Sequence, residues 1–217
     1  NAQQDALAGE RQEKNTLLKQ TKGQERAFQQ MLADVDRQES QLFKEIQILE
    51  QRVEAQKNFL KYAESKTTPP RGTKIFIWPD ANGAITQGYG LTAYARKGHY
   101  GGQIHNGVDI SSGLGTPILA AADGTVFASG KNQGWGNWVA IQHANGLITL
   151  YAHMIRSAIV SVGTAVTAGT AIGYEGRTGF ATGPHVHFSV YQKFFTFYKG
   201  SEVYFNYDAT LNPLDYL

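Results

Sequence analysis

Six histidines punctuate the chain, His99, His105, His143, His153, His185 and His187. Three short patterns among them hold the residue types that metal-assisted hydrolysis needs. In His105-Asn-Gly-Val-Asp109 an imidazole and a carboxylate stand four apart, and Gly107 eases a turn that would aim both at one ion. Alone, that spacing is common. In His185-Val-His187 two imidazoles stand two apart, alternating with Val186, Phe188 and Val190. On a strand, such alternation points both histidines to one side and the apolar residues to the other. Tyr151-Ala-His153 ends an apolar run and says little by itself. Two histidines and an aspartate together make a three-ligand set that leaves a fourth position for water, the pattern of catalytic rather than structural zinc. Zinc lowers the pKa of such a water toward ~7. Further histidines nearby can move protons or steady a developing oxyanion.

The elements that must position these residues are strands. After residue 74 the chain runs in short β-branched and aromatic segments, 74–78, 125–128, 138–143, 148–153 and 185–191, between turn signals such as Asp123-Gly124 and Asn145-Gly146. No helical period intervenes, which predicts a mainly antiparallel β domain over residues 74–217. Residues 1–64 follow a different pattern. They hold 21 of the 38 charged residues, two of the 24 glycines and none of the six prolines. Leu32, Val35, Leu42, Ile46, Leu49, Val53 and Leu60 recur at steps of three and four, with Glu39 and Gln56 interrupting the seam. This predicts a helical coiled coil or hairpin over 1–64, the alternative being one long solvated helix. An apolar seam of this kind calls for a coiled-coil partner. Residues 65–73 contain Pro69 and Pro70, which remove two backbone donors, and read as a short stiff linker. The fold class is thus α+β.

Composition narrows the function classes. With no cysteine, a thiolate metal site and a disulfide framework are both excluded. A formal net charge of +2 without a Lys/Arg block gives no reason to expect nucleic acid. No apolar run is long enough to span a membrane. Asn1 opens inside a helical pattern with no visible export signal, so a signal or anchor is expected upstream.

The histidine patterns sit within a longer text. It includes Ile85-Thr-Gln-Gly-Tyr-Gly90, Gly115-Thr-Pro-Ile, Ala122-Asp-Gly-Thr-Val126, Gly134-Trp-Gly-Asn-Trp-Val139, Tyr151-Ala-His153-Met and Thr178-Gly-Phe-Ala-Thr-Gly-Pro-His185-Val-His187-Phe. The order and spacing resemble the lysostaphin-type family of zinc metallopeptidases, also called LytM-type or M23 endopeptidases. The resemblance implies a β-sheet domain whose site lies in a narrow groove walled by loops. It implies zinc held by His105, Asp109 and His187, with His153 and His185 as the catalytic histidines. It also implies peptidoglycan peptides as substrate and an extracytoplasmic location, periplasm or cell surface. A coil ahead of such a domain is also similar to bacterial murein-hydrolase activators, in which a non-catalytic domain binds an amidase and the coil joins a membrane complex. All five site positions are filled here, which favours the enzyme. The short linker raises the further expectation that the coil covers the groove at rest.

Smaller expectations follow. Many members of the family carry an acidic residue where this chain has Ser189, and only a local effect is expected there. Tyr94, Tyr100, Trp135 and Trp138 are candidates for lining the groove. Gly176, Gly179 and Gly183 read as tight turns or close backbone approaches. His99 and His143 read as surface or turn residues. Residues 91–103 form a loop, and the aromatic-rich stretch 192–207 reads as a hairpin.

Overall fold

A computed structural model describes residues 2–65 and 67–217. It divides into two compact units, 1–50 and 51–217. One unbroken helix, α1 (Ala2–Ser65), supplies all the described residues of the first and opens the second. The helical part therefore contains no hairpin turn among its described residues. In the first unit the seam side chains are exposed, Leu32, Val35, Leu42, Ile46 and Leu49 among them. An Arg37–Asp34 pair at 3.3 Å on its surface contributes little in water.

In the second unit the end of α1 is anchored by residues other than the apolar seam positions. Ala55 and Phe59 are buried, whereas Val53 and Leu60 are exposed. Gln56 donates to Asp123 Oδ2 at 2.9 Å, and Asn58 donates to the Lys74 carbonyl at 2.9 Å.

The strands that follow are β1 (Ala84–Gln87), β2 (Val108–Ser111), β3 (Pro117–Leu119), β4 (Gly124–Asn132), β5 (Gly136–Gln142) and β6 (Ile148–Met154). After them come β7 (Ala165–Val166), β8 (Ala171–Tyr174), β9 (Val186–Tyr191), β10 (Thr196–Lys199), β11 (Glu202–Phe205) and β12 (Thr210–Leu211). One short helix, α2 (Ala93–Arg96), lies in the loop after β1 and is capped by the Thr92 hydroxyl. The main sheet has the order β1-β2-β9-β6-β5-β4-β7, with β12 also on β9. Neighbours in it are antiparallel. β3 pairs with β8, and β10 with β11, in two small sheets.

Alternation along the strands gives the main sheet two buried faces. Val108, Ile110, Ile141, Tyr151, Val186, Phe188 and Val190 point into one core, which also takes Phe59, Ile75, Phe76, Ile118 and Ile172. Trp138, Ala140, Leu150, Ala152 and Tyr191 point the other way, toward Phe205. Each large side chain so buried contributes roughly 1.5–3 kcal/mol. Segment 74–78 departs from expectation. Ile75, Phe76 and Ile77 are buried, but the segment is not a strand. The amides of Ile75 and Phe76 both donate to the single Tyr216 carbonyl, and Ile77 donates to the Ala121 carbonyl, so no ladder forms.

His143 also departs from expectation, because it is a core residue. Its Nδ1–H donates to the Asp123 carbonyl at 2.8 Å, and Nε2 lies 2.8 Å from the Thr149 hydroxyl, which is linked on to Tyr151 and the Ala121 amide. Phe59 and Phe76 pack against its ring. Burial pulls its pKa from 6.5 down to about 4, so the folded state holds it neutral while the unfolded chain takes up a proton. Its stabilising contribution is complete above about pH 6.5 and is lost as pH falls toward 4. The loss amounts to about 3 kcal/mol at most. Unfolding titrations of wild type and His143→Gln between pH 7 and 4 should show a steeper acid loss in wild type. Parallel curves would refute this account.

Candidate metal centre and its groove

The site is built on the neighbouring strands β2 and β9. Asp109 and His187 are direct cross-strand partners, and His187 also faces Ala152 on β6. Val186, Phe188 and Val190 are fully buried on the opposite face, as the alternation in the sequence requires. His105 precedes β2 and is held by a two-way backbone bridge to Gly90, at 2.8 and 2.9 Å.

Second contacts fix which nitrogen each imidazole presents. His105 Nδ1–H donates to the Gly88 carbonyl at 2.7 Å, leaving the Nε2 lone pair inward. His187 Nε2–H donates to Ser189 Oγ at 2.8 Å, leaving the Nδ1 lone pair inward. These two inward nitrogens lie 3.0 Å apart, and Asp109 Oδ1 is 3.2 Å from one and 2.9 Å from the other. Three acceptors thus converge in a space where mutual repulsion calls for a cation. Among the described residues this is the group of His, Asp and Glu able to hold a metal ion.

His153 and His185 complete the cluster, their rings 4.6 Å apart. His153 Nδ1–H donates to the Thr178 carbonyl at 2.7 Å, and His185 Nδ1–H to the Gly183 carbonyl at 3.0 Å. His185 Nε2 lies 3.6 Å from Asp109 Oδ1. His153, next to last in β6, has φ at 61°, a left-handed conformation that costs a non-glycine residue about 1–3 kcal/mol. Its backbone N–H donates to the Trp135 carbonyl at 2.9 Å and holds it there.

Burial and neighbouring charge set the electrostatics. Burial, reinforced by His185 and His187, pulls His153 down to about 3. Burial likewise takes His187 to about 4. Both are neutral at neutral pH, as ligands and proton acceptors must be.

The groove walls include Gln87, Tyr94, Tyr100, Trp135, Phe180 and Thr182. Tyr100 lies nearly parallel to the His105 ring at 5.3 Å, and its hydroxyl accepts from Gln87 at 2.5 Å. Burial raises its pKa to about 12, so it stays protonated. Tyr94 stacks on His99 at 3.8 Å. Three of the four aromatic candidates therefore line the groove, while Trp138 is buried against Phe205. Gln87, Phe180 and Thr182 were not anticipated, since nothing in an isolated polar or exposed residue indicates what it faces.

Two further residues act at the cluster in ways the sequence conceals. Ser189 bonds a metal-set histidine rather than having only a local role. Gly107 serves close approach rather than a turn, since a Cβ there would lie 2.5 Å from His187 Nε2 and 2.6 Å from Ser189 Oγ. Of the three glycines near His185, Gly179 has φ at 75° and a Cβ there would meet the Gly136 amide at 2.3 Å. A Cβ on Gly176 would meet the Ile155 amide at 2.1 Å, whereas Gly183 faces open space.

The stretch that carries this cluster is similar to known proteins. Residues 103–203 match peptidase family M23. A DD-carboxypeptidase/endopeptidase, Mpg, of Neisseria meningitidis is 45% identical over 86 residues, 40% of this chain and 20% of its own length. The peptidoglycan DD-endopeptidase ShyC of Vibrio cholerae is 48% identical over 89 residues, again 40% of this chain and 20% of its own. The chain thus spans about a fifth of the length of these relatives. Among solved structures, the catalytic domain of the antimicrobial peptidase lysostaphin from Staphylococcus simulans superposes with a TM-score of 0.51 at 29% identity. That likeness covers 61% of this chain and 90% of the other.

Proposed function

We propose, from the premise that this chain carries a domain of peptidase family M23, that it is a zinc-dependent endopeptidase hydrolysing peptide bonds in bacterial peptidoglycan outside the cytoplasm. The observation that carries this reading is the convergence of three lone-pair donors, His105 Nε2, His187 Nδ1 and Asp109 Oδ1, beside two further imidazoles. Two nitrogens and one carboxylate oxygen suit zinc, and three protein ligands leave room for reaction. Bound zinc supplies Lewis-acid polarisation of the scissile carbonyl and acidifies the attacking water. The M23 relatives named as peptidoglycan DD-endopeptidases support the substrate class.

The chain's own residues do the rest. The aromatic walls hold an extended peptide over the cluster and keep bulk water away. His153 and His185, each anchored through Nδ1, turn Nε2 toward the reacting bond. The imidazole that takes the proton of the attacking water becomes a cation beside the developing negative charge. It can then return that proton to the leaving amine.

The deciding experiment incubates purified chain, with and without zinc, with purified peptidoglycan and follows soluble peptide release. Zinc-dependent release is expected. Zinc binding without release would point to a groove covered by the coil, and failure to bind zinc at all would favour the alternative, a non-catalytic activator of an amidase.

Ser189 gives a subtler prediction. Losing the acceptor for His187 Nε2–H frees the ring to present the wrong tautomer, and such partners are worth about 10–100-fold in metal affinity. Competitive chelator titration of Ser189→Ala should show zinc binding weakened by about tenfold. Unchanged affinity would show that packing alone orients the ring.

A further inference from the structure

The hairpin β10–β11 takes no part in the chemistry above, yet it is firmly built. Asn206, which is buried, accepts from the Phe195 amide at 3.0 Å and donates to the carbonyls of Lys193 and Asp208 at 3.0 and 2.9 Å, tying the two ends together. Asn132 and the Trp138 indole both donate to the Val203 carbonyl, at 2.9 and 3.3 Å, fastening β11 to the main sheet.

Alternation then assigns its faces. Phe205 is buried against Trp138, so its cross-strand partner Thr196 shares the inward face. Phe197 and Tyr204, the next pair, face away. Their rings are 21° from parallel with centroids 6.0 Å apart, and Phe195 lies 6.4 Å from Phe197. Phe195 is 58% exposed and Phe197 37%. The strip has a polar rim of both signs. Lys199 Nζ lies 5.0 Å from the Tyr204 ring centre and 5.8 Å from that of Phe197, and the Tyr204 hydroxyl donates to Glu202 at 2.7 Å. The Phe197–Tyr204 pair supports the hairpin, but the part of the strip that stays exposed is the kind of apolar surface that marks a binding site.

Its position indicates the occupant. The sheet face that carries His187 continues through Ser189 to Tyr191, which packs on Phe205. Phe205 and Tyr207 also pack on Trp135, a wall of the groove, at 5.2 and 6.0 Å. The hairpin that carries the strip therefore lies over the sheet face that holds the site, and its inner side touches a wall of the groove. In peptidoglycan the peptide hangs from a glycan strand, so a peptide seated in the groove brings pyranose rings close by. Sugar rings lay their C–H faces on aromatic rings, and their hydroxyl and acetamido groups take hydrogen bonds from a mixed rim. An anionic membrane would instead require a cluster of Lys and Arg.

We propose that the outer face of β10–β11, Phe195, Phe197 and Tyr204 with Lys199 and Glu202 at the rim, is a saccharide platform for the glycan strand of the substrate. This rests on the peptidoglycan reading above. Because the platform is held rigid, little ordering cost is incurred on binding.

The test measures binding of the full chain to peptide-free glycan strands and to soluble β-1,4-linked N-acetylglucosamine oligosaccharides, neither of which can be cut by a peptidase. Wild type should bind both. Phe195→Ser/Phe197→Ser should bind about tenfold more weakly, the loss expected for two aromatic contacts. Phe197→Leu, which keeps apolar bulk without a flat ring and guards against misfolding of the double variant, should also bind more weakly. Cleavage of a small sugar-free peptide should be unchanged in all of them, while cleavage of intact peptidoglycan should slow through KM. Failure of wild type to bind sugar, equal binding by the variants, or a loss seen instead on phosphatidylglycerol vesicles would overturn the proposal. If wild type binds the sugars but cuts no peptide, the peptidase reading fails and the platform stands.

Discussion

His187→Ala is expected to lose zinc and hydrolysis together. The substitution removes the inward Nδ1 and leaves Asp109 Oδ1 and His105 Nε2 as a two-ligand remnant. Metal-borne stabilisation of a transition state is worth several kcal/mol, so the rate should fall by about a thousandfold or more. The fold should survive, because Val186 and Phe188, on either side of it in β9, remain in the opposite core. Metal content and peptide release measured on the same preparation, with circular dichroism as the fold control, decide the matter. Zinc retained at one per chain with normal release would remove His187 from the ligand set.

His153→Ala should separate the two properties. Its ring is held by Thr178 and is no member of the converging donor group, so zinc should be retained. Loss of a positioned proton carrier costs about 10²–10⁴ in rate, and kcat should fall rather than KM rise. The backbone strain at φ 61° stays with alanine, so stability should change little. If zinc leaves with the activity, His153 is holding the metal centre together rather than moving protons. His185→Ala measured beside it would apportion proton transfer and charge stabilisation between the two rings.

Much of the site was legible before any fold was known. Strand alternation around His185-Val-His187 fixes its apolar and polar faces, because successive side chains on a strand must point oppositely, and the structure has Val186 and Phe188 in the core and His187 in the site. The helical character of the first 64 residues was equally plain from charge, glycine and proline content. Less legible was which face of that helix would be buried. The heptad seam drew attention to Leu49, Val53 and Leu60, yet Ala55 and Phe59 are the buried residues. The binding face of a helix end depends on the surface it meets, and that surface is formed by strands distant in sequence.

Residue identity and order are enough to display the set of chemistry-bearing side chains, the α+β composition, and the exclusion of thiolate ligation by the absence of cysteine. Short-range periodicity and residue chemistry are local properties, and a linear chain displays them directly. Tertiary structure alone decided that Asp109 lies opposite His187 across 78 residues of chain. It also decided which nitrogen each histidine turns inward, and that Ser189 and Gly107 serve the cluster. His143, by the same token, proved to be a core residue. These depend on strand register and on close contact between distant segments, and a hydrogen bond of 2.8 Å such as that from His187 to Ser189 exists only once the backbone has set both rotamers.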